Sequence, residues 1–344
     1  MTGAQILIGR IKGRPAAARM RDGVLDDLLI DPPAGIPRPG TIFRGTVSRA
    51  LKGIGGRFVR LPGQTGFLRQ AAGHPEGAPL LVQVTGYAEP GKAVPVTTRL
   101  LFKSRYVIAT PDNPGVNLSR TIRDEAARDR LLALAGTVAL PEGLGLILRT
   151  EAGEADSDAL IEDISETVDR ARGVLSAARG GPERLLDGPT PERMAWRDWA
   201  GEAGATWIDA PDAFETHGII DAIEALAVSR VDLPGGAWIE VEPTRALVAV
   251  DVNTGPDTSS AAGLKANIAA ARALPRALRL RGLGGQIVVD FAPMPKKDRR
   301  TLDQVLTSAF RADSVETALV GWTTLGHVEL SRKRERLPLT EAGL

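Results

Sequence analysis

Cysteine is absent from the 344-residue chain, which excludes disulfides and thiolate-bound zinc. Histidine is almost absent too: His74, His217 and His327 are scattered and form no ligand spacing. Lysine is scarce, eight of 43 basic residues, so arginine carries nearly all the positive charge. Arginine suits bidentate phosphate contacts, although a GC-rich genome produces the same bias. A charge surplus is lacking as well: the formal net charge is +1, which gives no bulk argument for nucleic acid. No run approaches the roughly 20 apolar residues of a membrane span, and the N-terminus has no long apolar signal core, so a cytoplasmic protein is expected. What remains is an ordinary globular composition, 43% hydrophobic and 25% charged, long enough for two or more compact modules.

The two most informative segments lie in the last third. Arg245 to Gly255 contains the apolar run before Asp251-Val-Asn253-Thr254-Gly255, and Gly284 to Phe291 is a second run ending on Asp290. Each delivers a carboxylate at a strand end, the edge where open α/β sheets bind ligands. Mg²⁺ takes oxygen ligands and is commonly held by one or two carboxylates, water and substrate phosphate. Alone, Asp-x-Asn-Thr-Gly is also an ordinary Asx-type turn leaving a strand; the second Asp favours the metal reading.

Elsewhere, residues 4–30 have the pattern of a β-meander, closed by the Pro-rich stretch 31–39. Five short alternating strands between Gly40 and Thr98 suit a small OB-type barrel. Strands are predicted at 106–110 and 145–150, and helices at 122–134 and, long, acidic and amphipathic, at 155–178. The chain then breaks at Gly180-Gly-Pro and Gly188-Pro-Thr-Pro. The last third alternates: helix 219–226, a hairpin of strands 237–242 and 245–252, helix 263–280, strand 286–291, helix 300–310, and a strand near 326–330 before a basic tail. That alternation predicts an α/β sheet.

Asn267 to Phe291 resembles the catalytic region of the ribonuclease E/G family, and Leu325-Gly-His-Val-Glu329-Leu-Ser331-Arg332-Lys-Arg334 resembles a later family motif. Asp251 to Gly255 matches the family's metal and phosphate signature, so the motifs run in the family's order. The resemblance implies that Asp251 and Asp290 hold Mg²⁺ and that Asn253 orients the scissile phosphate. Gly40 to Val47 and Gly66-Phe67-Leu68 look like an S1-type RNA-binding domain. Phe58 and Phe67 then match stacking positions and Lys92 a backbone-contacting lysine; with Phe43 they form a cluster that favours a stacking platform over plain barrel core. Arg149-Thr150 matches a pair that senses a 5′-monophosphate, with Ser119-Arg120 as a supporting element; an arginine fork plus a hydroxyl suits a terminal phosphate.

The implied fold class is mixed α/β and multidomain, with an S1-type barrel inserted in an RNase H-like subdomain and a DNase I-like catalytic domain after it. The expected spans are 1–36 and 192–226 for the RNase H-like parts, 37–98 for the barrel, 99–191 for the 5′-sensor region and 227–344 for the catalytic domain. The implied activity is Mg²⁺-dependent endonucleolytic hydrolysis of single-stranded RNA. Two rivals are an RNA-binding paralogue acting as adaptor and a translation-associated S1-type protein with a structural α/β half. The family carries a Cys-Pro-x-Cys zinc link and a small domain beyond it; with no cysteine and an end at Leu344, no zinc is expected, and a homodimer would use another surface. Ala269 stands where the family has Glu, Ser259, Ser260 and Ala261 thin the acidic support, and Pro275 interrupts a helical interior at about 3 kcal/mol unless a kink absorbs it.

Overall fold

The computed structural model describes residues 3–49, 55–69 and 73–344. The chain divides into two compact units, one made of residues 1–33 and 204–344, the other of residues 34–203.

The first unit opens with β1 (Ala4–Ile11), β2 (Arg14–Arg21) and β3 (Val24–Ile30), an antiparallel meander. Its turns are Lys12-Gly13 and Asp22-Gly23, all four at positive φ, the backbone that two-residue hairpins require.

The second unit carries the barrel: β4 (Ile42–Val47), β5 (Arg57–Leu61), β6 (Gln64–Leu68), β7 (Pro79–Val84) and β8 (Val94–Thr97). The order β4-β5-β6-β8-β7 closes through β7 pairing back onto β4. All five strands were legible in the sequence, although the expected span 37–98 includes residues 50–54 and 70–72, outside the described ones. Gly45 is required by packing: a Cβ there would collide with Val59 and Leu61 across the barrel. Beside the barrel, β9 (Phe102–Lys103), β10 (Val107–Pro111), β11 (Gly115–Leu118) and β12 (Leu144–Leu148) form a sheet ordered β11-β12-β10-β9. Two helices pack on it. One is α1 (Glu125–Ala135), capped by Asp124; the other is α2 (Ser157–Ser176), capped by Asp156, which buries Leu160, Ile164, Val168 and Val174. The acidic helix therefore has one core face, as its periodicity predicts. β13 (Glu183–Leu186) adds to β4, and α3 (Pro191–Trp199) follows with Thr190 as its cap and Pro191 in the first turn.

The chain then returns to the first unit. β14 (Thr206–Asp209) lies parallel to β1, and α4 (Ala213–Thr216) and α5 (Ile219–Glu224) cover the meander with Phe214, Ile219 and Ile223. A six-stranded sheet follows, built from β15 (Arg230–Asp232), β16 (Trp238–Pro243), β17 (Val248–Asn253), β18 (Gly285–Asp290), β19 (Thr317–Trp322) and β20 (Val328–Arg332). Its order is β15-β16-β17-β18-β20-β19, and β17–β18 is its parallel pair. Parallel neighbours need a long crossover, and α6 (Ala262–Leu280) supplies it; α7 (Arg299–Arg311) leads from β18 toward β19. Both helices pack on one face of the sheet, against Ile239, Val250, Val252, Ile287 and Val289.

Helix α6 continues through Pro275, so the proline does not interrupt it. Pro275 is buried within the helix, as are Leu274 and Leu278. An ionic network ties α6 to the meander and to the last strands. Arg279 pairs with Asp26, with fully buried Asp27 and with fully buried Asp313, while Arg332 and Arg336 close onto Asp313 and Asp27.

Candidate active site

Alternation along β17 sends Val248, Val250 and Val252 into the core and Ala249, Asp251 and Asn253 to the opposite face. In β18, Ile287 and Val289 go inward, while Val288 and Asp290 go out. The parallel register sets Asp251 directly opposite Asp290. Both carboxylates are therefore neighbours at the carboxyl ends of adjacent strands, on the face that α6 and α7 leave open. Asp251 is exposed, and the Asp290 side chain is 62% exposed. Asn253 donates its Nδ2–H to Asp251 Oδ2 at 2.8 Å.

Two more polar groups join this row. Glu240 lies opposite Asp251 on β16 and accepts from the Ser229 hydroxyl at 2.6 Å. His327 Nε2 lies 3.7 Å from Asp290 Oδ2. The sequence had left His327 without a role, because its partner is 37 positions away and reached only through the β18–β20 pairing. Among the described residues, no group of three or more His, Asp or Glu is gathered closely enough to enclose a metal. The arrangement is an open pair of oxygen donors.

Buried residues fix that pair. Asn267 on α6 is fully buried; its Nδ2 donates to the Ala292 carbonyl and its Oδ1 accepts from the Ala292 N–H, both at 2.9 Å. The helix is thereby clamped to the chain two residues beyond Asp290. After Asn253, Gly255 turns the chain at φ 67°, where a Cβ would also run into the Gly236 carbonyl. Asp257 accepts from the Ser259 N–H at 2.8 Å, and that hydrogen bond holds its carboxyl below the usual range.

In the barrel, Phe58 and Phe67 face each other across β5 and β6, half-buried, with ring centroids 5.4 Å apart at 57°. The third member expected in that cluster is placed differently. Phe43 is fully buried in the barrel interior with Val59, Val82 and Val96, so the platform consists of two rings. The physical reason is that β4 is covered on both sides: Phe43 faces the barrel core while its neighbour Ile42 enters the core beside α2. Lys92 stands 66% exposed, its Nζ 2.8 Å from Glu89 Oε2.

Arg149 follows β12 directly. Its guanidinium donates to the carbonyls of Ser104 (2.8 Å) and Arg105 (3.1 Å) and to Asp198 Oδ1 (3.2 Å), with Glu151 at 3.5 Å. Burial alone would raise the Asp198 carboxyl, but the Arg197 hydrogen bond and charge, with Arg149, outweigh it and hold Asp198 low. Thr150 sits in a cluster of hydroxyls, its Oγ1 3.0 Å from both Ser119 Oγ and Thr121 Oγ1. Arg120 is exposed next to them. Sequence reasoning missed Asp198 and Thr121. Asp198 lies on α3, which Thr190-Pro191-Glu192 announces as a capped helix start.

A model of the ribonuclease E/G family matches residues 102–210 and 205–335. Ribonuclease E of Nostoc is 33% identical over 86% of this chain and 51% of its own length. Ribonuclease E of Synechocystis is 31% identical over 98% of the chain and 58% of its own length. Ribonuclease G of Escherichia coli strain K12 is 27% identical over 97% of the chain and 80% of its own length. The chain thus spans a little over half the length of the two ribonucleases E. With the matched family regions containing the paired strand ends and the Arg149 cluster, the chain belongs to the ribonuclease E/G family.

Proposed function

We propose that this protein is an endoribonuclease that hydrolyses single-stranded RNA in processing or decay, working with Mg²⁺ and reading a 5′-monophosphate end. The observation that carries the reading is the side-by-side register of Asp251 and Asp290 on an open face. Two exposed carboxylates are hard oxygen donors of the kind Mg²⁺ takes while keeping water and substrate phosphate as its other ligands, so these residues fit the ion. A bound Mg²⁺ supplies charge neutralisation at the phosphate and a more acidic water. Asp251 and Asp290 would hold it, and Asn253, anchored on Asp251, would present its amide to the scissile phosphate. In the reaction, water attacks phosphorus in line and the bond to the 3′ oxygen breaks. The leaving oxygen takes a proton, giving 3′-hydroxyl and 5′-phosphate ends.

The half-buried rings of Phe58 and Phe67 suit base stacking, and exposed Lys92 suits a backbone phosphate. Arg149 would accept a terminal phosphate by exchanging the Asp198 carboxylate for it, with the Thr150 hydroxyl as second donor and Arg120 alongside. The meander with β14, α4 and α5 would be the divided RNase H-like part, and the six-stranded sheet the DNase I-like part. Action on transcripts places the protein in the cytoplasm in this reading.

The test incubates purified protein with single-stranded RNA bearing a 5′-monophosphate or a 5′-triphosphate, in Mg²⁺ or EDTA. Cleavage in Mg²⁺ only, faster on the monophosphate and slowed on it by Arg149→Ala, is expected. Equal cleavage in EDTA would sink the metal reading, and RNA binding without any cleavage would identify an adaptor instead.

A further inference from the structure

A cavity of about 680 Å³ lies between the outer face of α6 and the segment 225–234, wholly within the first unit and away from Asp251 and Asp290. Its volume falls in the range of small-molecule sites, about 300–1,000 Å³. The hollow exists because α6 presents Ala269, Ala273 and Ala277 at intervals of four, one helix face with no long side chain to fill it. Leu226, Val231 and Ile268 complete apolar walls.

The charges around those walls do not balance. Arg230, Lys265, Arg272, Arg276 and Arg281 line the cavity, with Asp232 as the carboxylate among them. Arg230 pairs with Asp232 at 2.8 Å, and Lys265 with Asp257 at 3.3 Å. The other three arginines form no ion pair among the described residues. Arg281, buried, spends Nη2 on the Val228 carbonyl at 2.8 Å and Nη1 on Ala277 at 3.3 Å. Arg276, half-buried, reaches the Leu25 carbonyl. Arg272 is exposed at the mouth.

Carbonyls satisfy guanidinium hydrogens but do not neutralise the charge, and buried charge without a counter-ion is costly. Both inner arginines register that cost. Burial, then the Arg276 charge, pushes Arg281 below its ordinary value; burial pushes Arg276 down against the opposing pull of Asp26. An anion in the cavity would relieve it. Guanidinium planes match phosphate oxygens and stack on flat rings, and the short alanine face leaves room for such a ring.

We propose that this cavity is a binding site for a nucleoside monophosphate, its base on the alanine face of α6 and its phosphate among Arg272, Arg276 and Arg281. The proposal is independent of the ribonuclease reading, since none of these residues belongs to the strand-end pair or to the Arg149 cluster.

Calorimetric titration of the purified Arg149→Ala chain, which removes the proposed 5′-phosphate site, with adenosine 5′-monophosphate, adenosine and inorganic phosphate, in EDTA to silence the carboxylate pair, tests it. One nucleotide per chain is expected, with adenosine and phosphate each at least about tenfold weaker. Arg272→Glu should weaken the nucleotide by about tenfold or more, and Ala273→Trp should abolish binding by filling the hollow. Arg272 is exposed, so its variant decides the matter even if the tryptophan variant fails to fold. Absence of nucleotide binding at millimolar concentration would overturn the proposal, as would binding that Arg272→Glu leaves unchanged.

Discussion

Replacing Asp290 by Asn should make the metal-free protein more stable while removing the proposed activity. Asp251 and Asp290 occupy directly opposed positions on adjacent parallel strands, and neighbouring strands lie about 4.8 Å apart. With Asp290 62% exposed, the water limit of Coulomb's law applies, and two like charges about 5 Å apart repel by about 0.8 kcal/mol. Salt at about 0.1 M, with a Debye length near 10 Å, leaves roughly 0.5 kcal/mol. For the compact unit that carries the pair, residues 1–33 and 204–344, that corresponds to about 1–2 °C in Tm. Asn is isosteric and keeps the strand pairing, so Asp290→Asn in EDTA should melt about 1–2 °C above wild type. Mg²⁺ should then reverse the order. At ten times its dissociation constant an ion bound only by the native state adds about 1.4 kcal/mol to wild type, and much less to the variant. Scanning calorimetry of both proteins, in EDTA and across a Mg²⁺ titration, reads both effects. A variant that melts lower in EDTA would refute the repulsion, and equal Mg²⁺ stabilisation of both proteins would refute the assignment of the pair as ligands.

Three further outcomes are expected. Phe58→Ala or Phe67→Ala should weaken single-stranded RNA binding by about 1–3 kcal/mol each in fluorescence titrations, whereas Phe43→Ala, in the barrel core, should lower stability in urea unfolding by about 3–5 kcal/mol. Asp313→Ala, which leaves buried Arg332 without its carboxylate while Arg279 keeps Asp26 and Asp27, should cost about 3–5 kcal/mol by the same measurement. Asp198→Asn should strengthen binding of 5′-monophosphorylated RNA by loosening the hold on Arg149. Because the Asp198 carboxyl is held below its ordinary value of 3.8, its ion pairs stabilise fully above that pH and lose their effect as the pH falls below it. The stability gap between wild type and Asp198→Asn should therefore be constant above about pH 5 and shrink in acid, followed by unfolding at a series of pH values.

Much of the fold was legible because its elements obey one period each. The Lys12-Gly13 and Asp22-Gly23 turns announce the meander, and the five barrel strands alternate cleanly between glycine-rich turns. Five strands of two to four residues, β9, β11, β13, β14 and β15, show no readable period, whereas the equally short β8 is marked by alternating Val94 and Val96. β14 in particular pairs with β1 from about 200 positions away, a match that only tertiary structure makes. The strand-end aspartates were legible as a pair, but their spacing was not, since it depends on the register of β17 against β18. The Arg149 site was half legible: the arginine and threonine stand out, while the carboxylate occupying the fork comes from a helix 49 positions on.

Register explains why the candidate site is built from buried residues although its own side chains are exposed. A slip of one residue between β17 and β18 would turn either Asp251 or Asp290 into the core and bring a valine out. Val250, Val252, Ile287 and Val289 forbid that slip, because each would exchange a packed interior for water, at about 1.5–3 kcal/mol per side chain. Asn267 adds the clamp at Ala292, and Gly255 allows the chain to leave β17 past Gly236 without a clash. Helix α6 stays continuous through Pro275, which sits in a buried stretch of the helix. Its burial there offsets the roughly 3 kcal/mol that a mid-helix proline costs. The two carboxylates can therefore be changed without unfolding the sheet, whereas Asn267→Ala should displace Asp290 while every proposed ligand is still present.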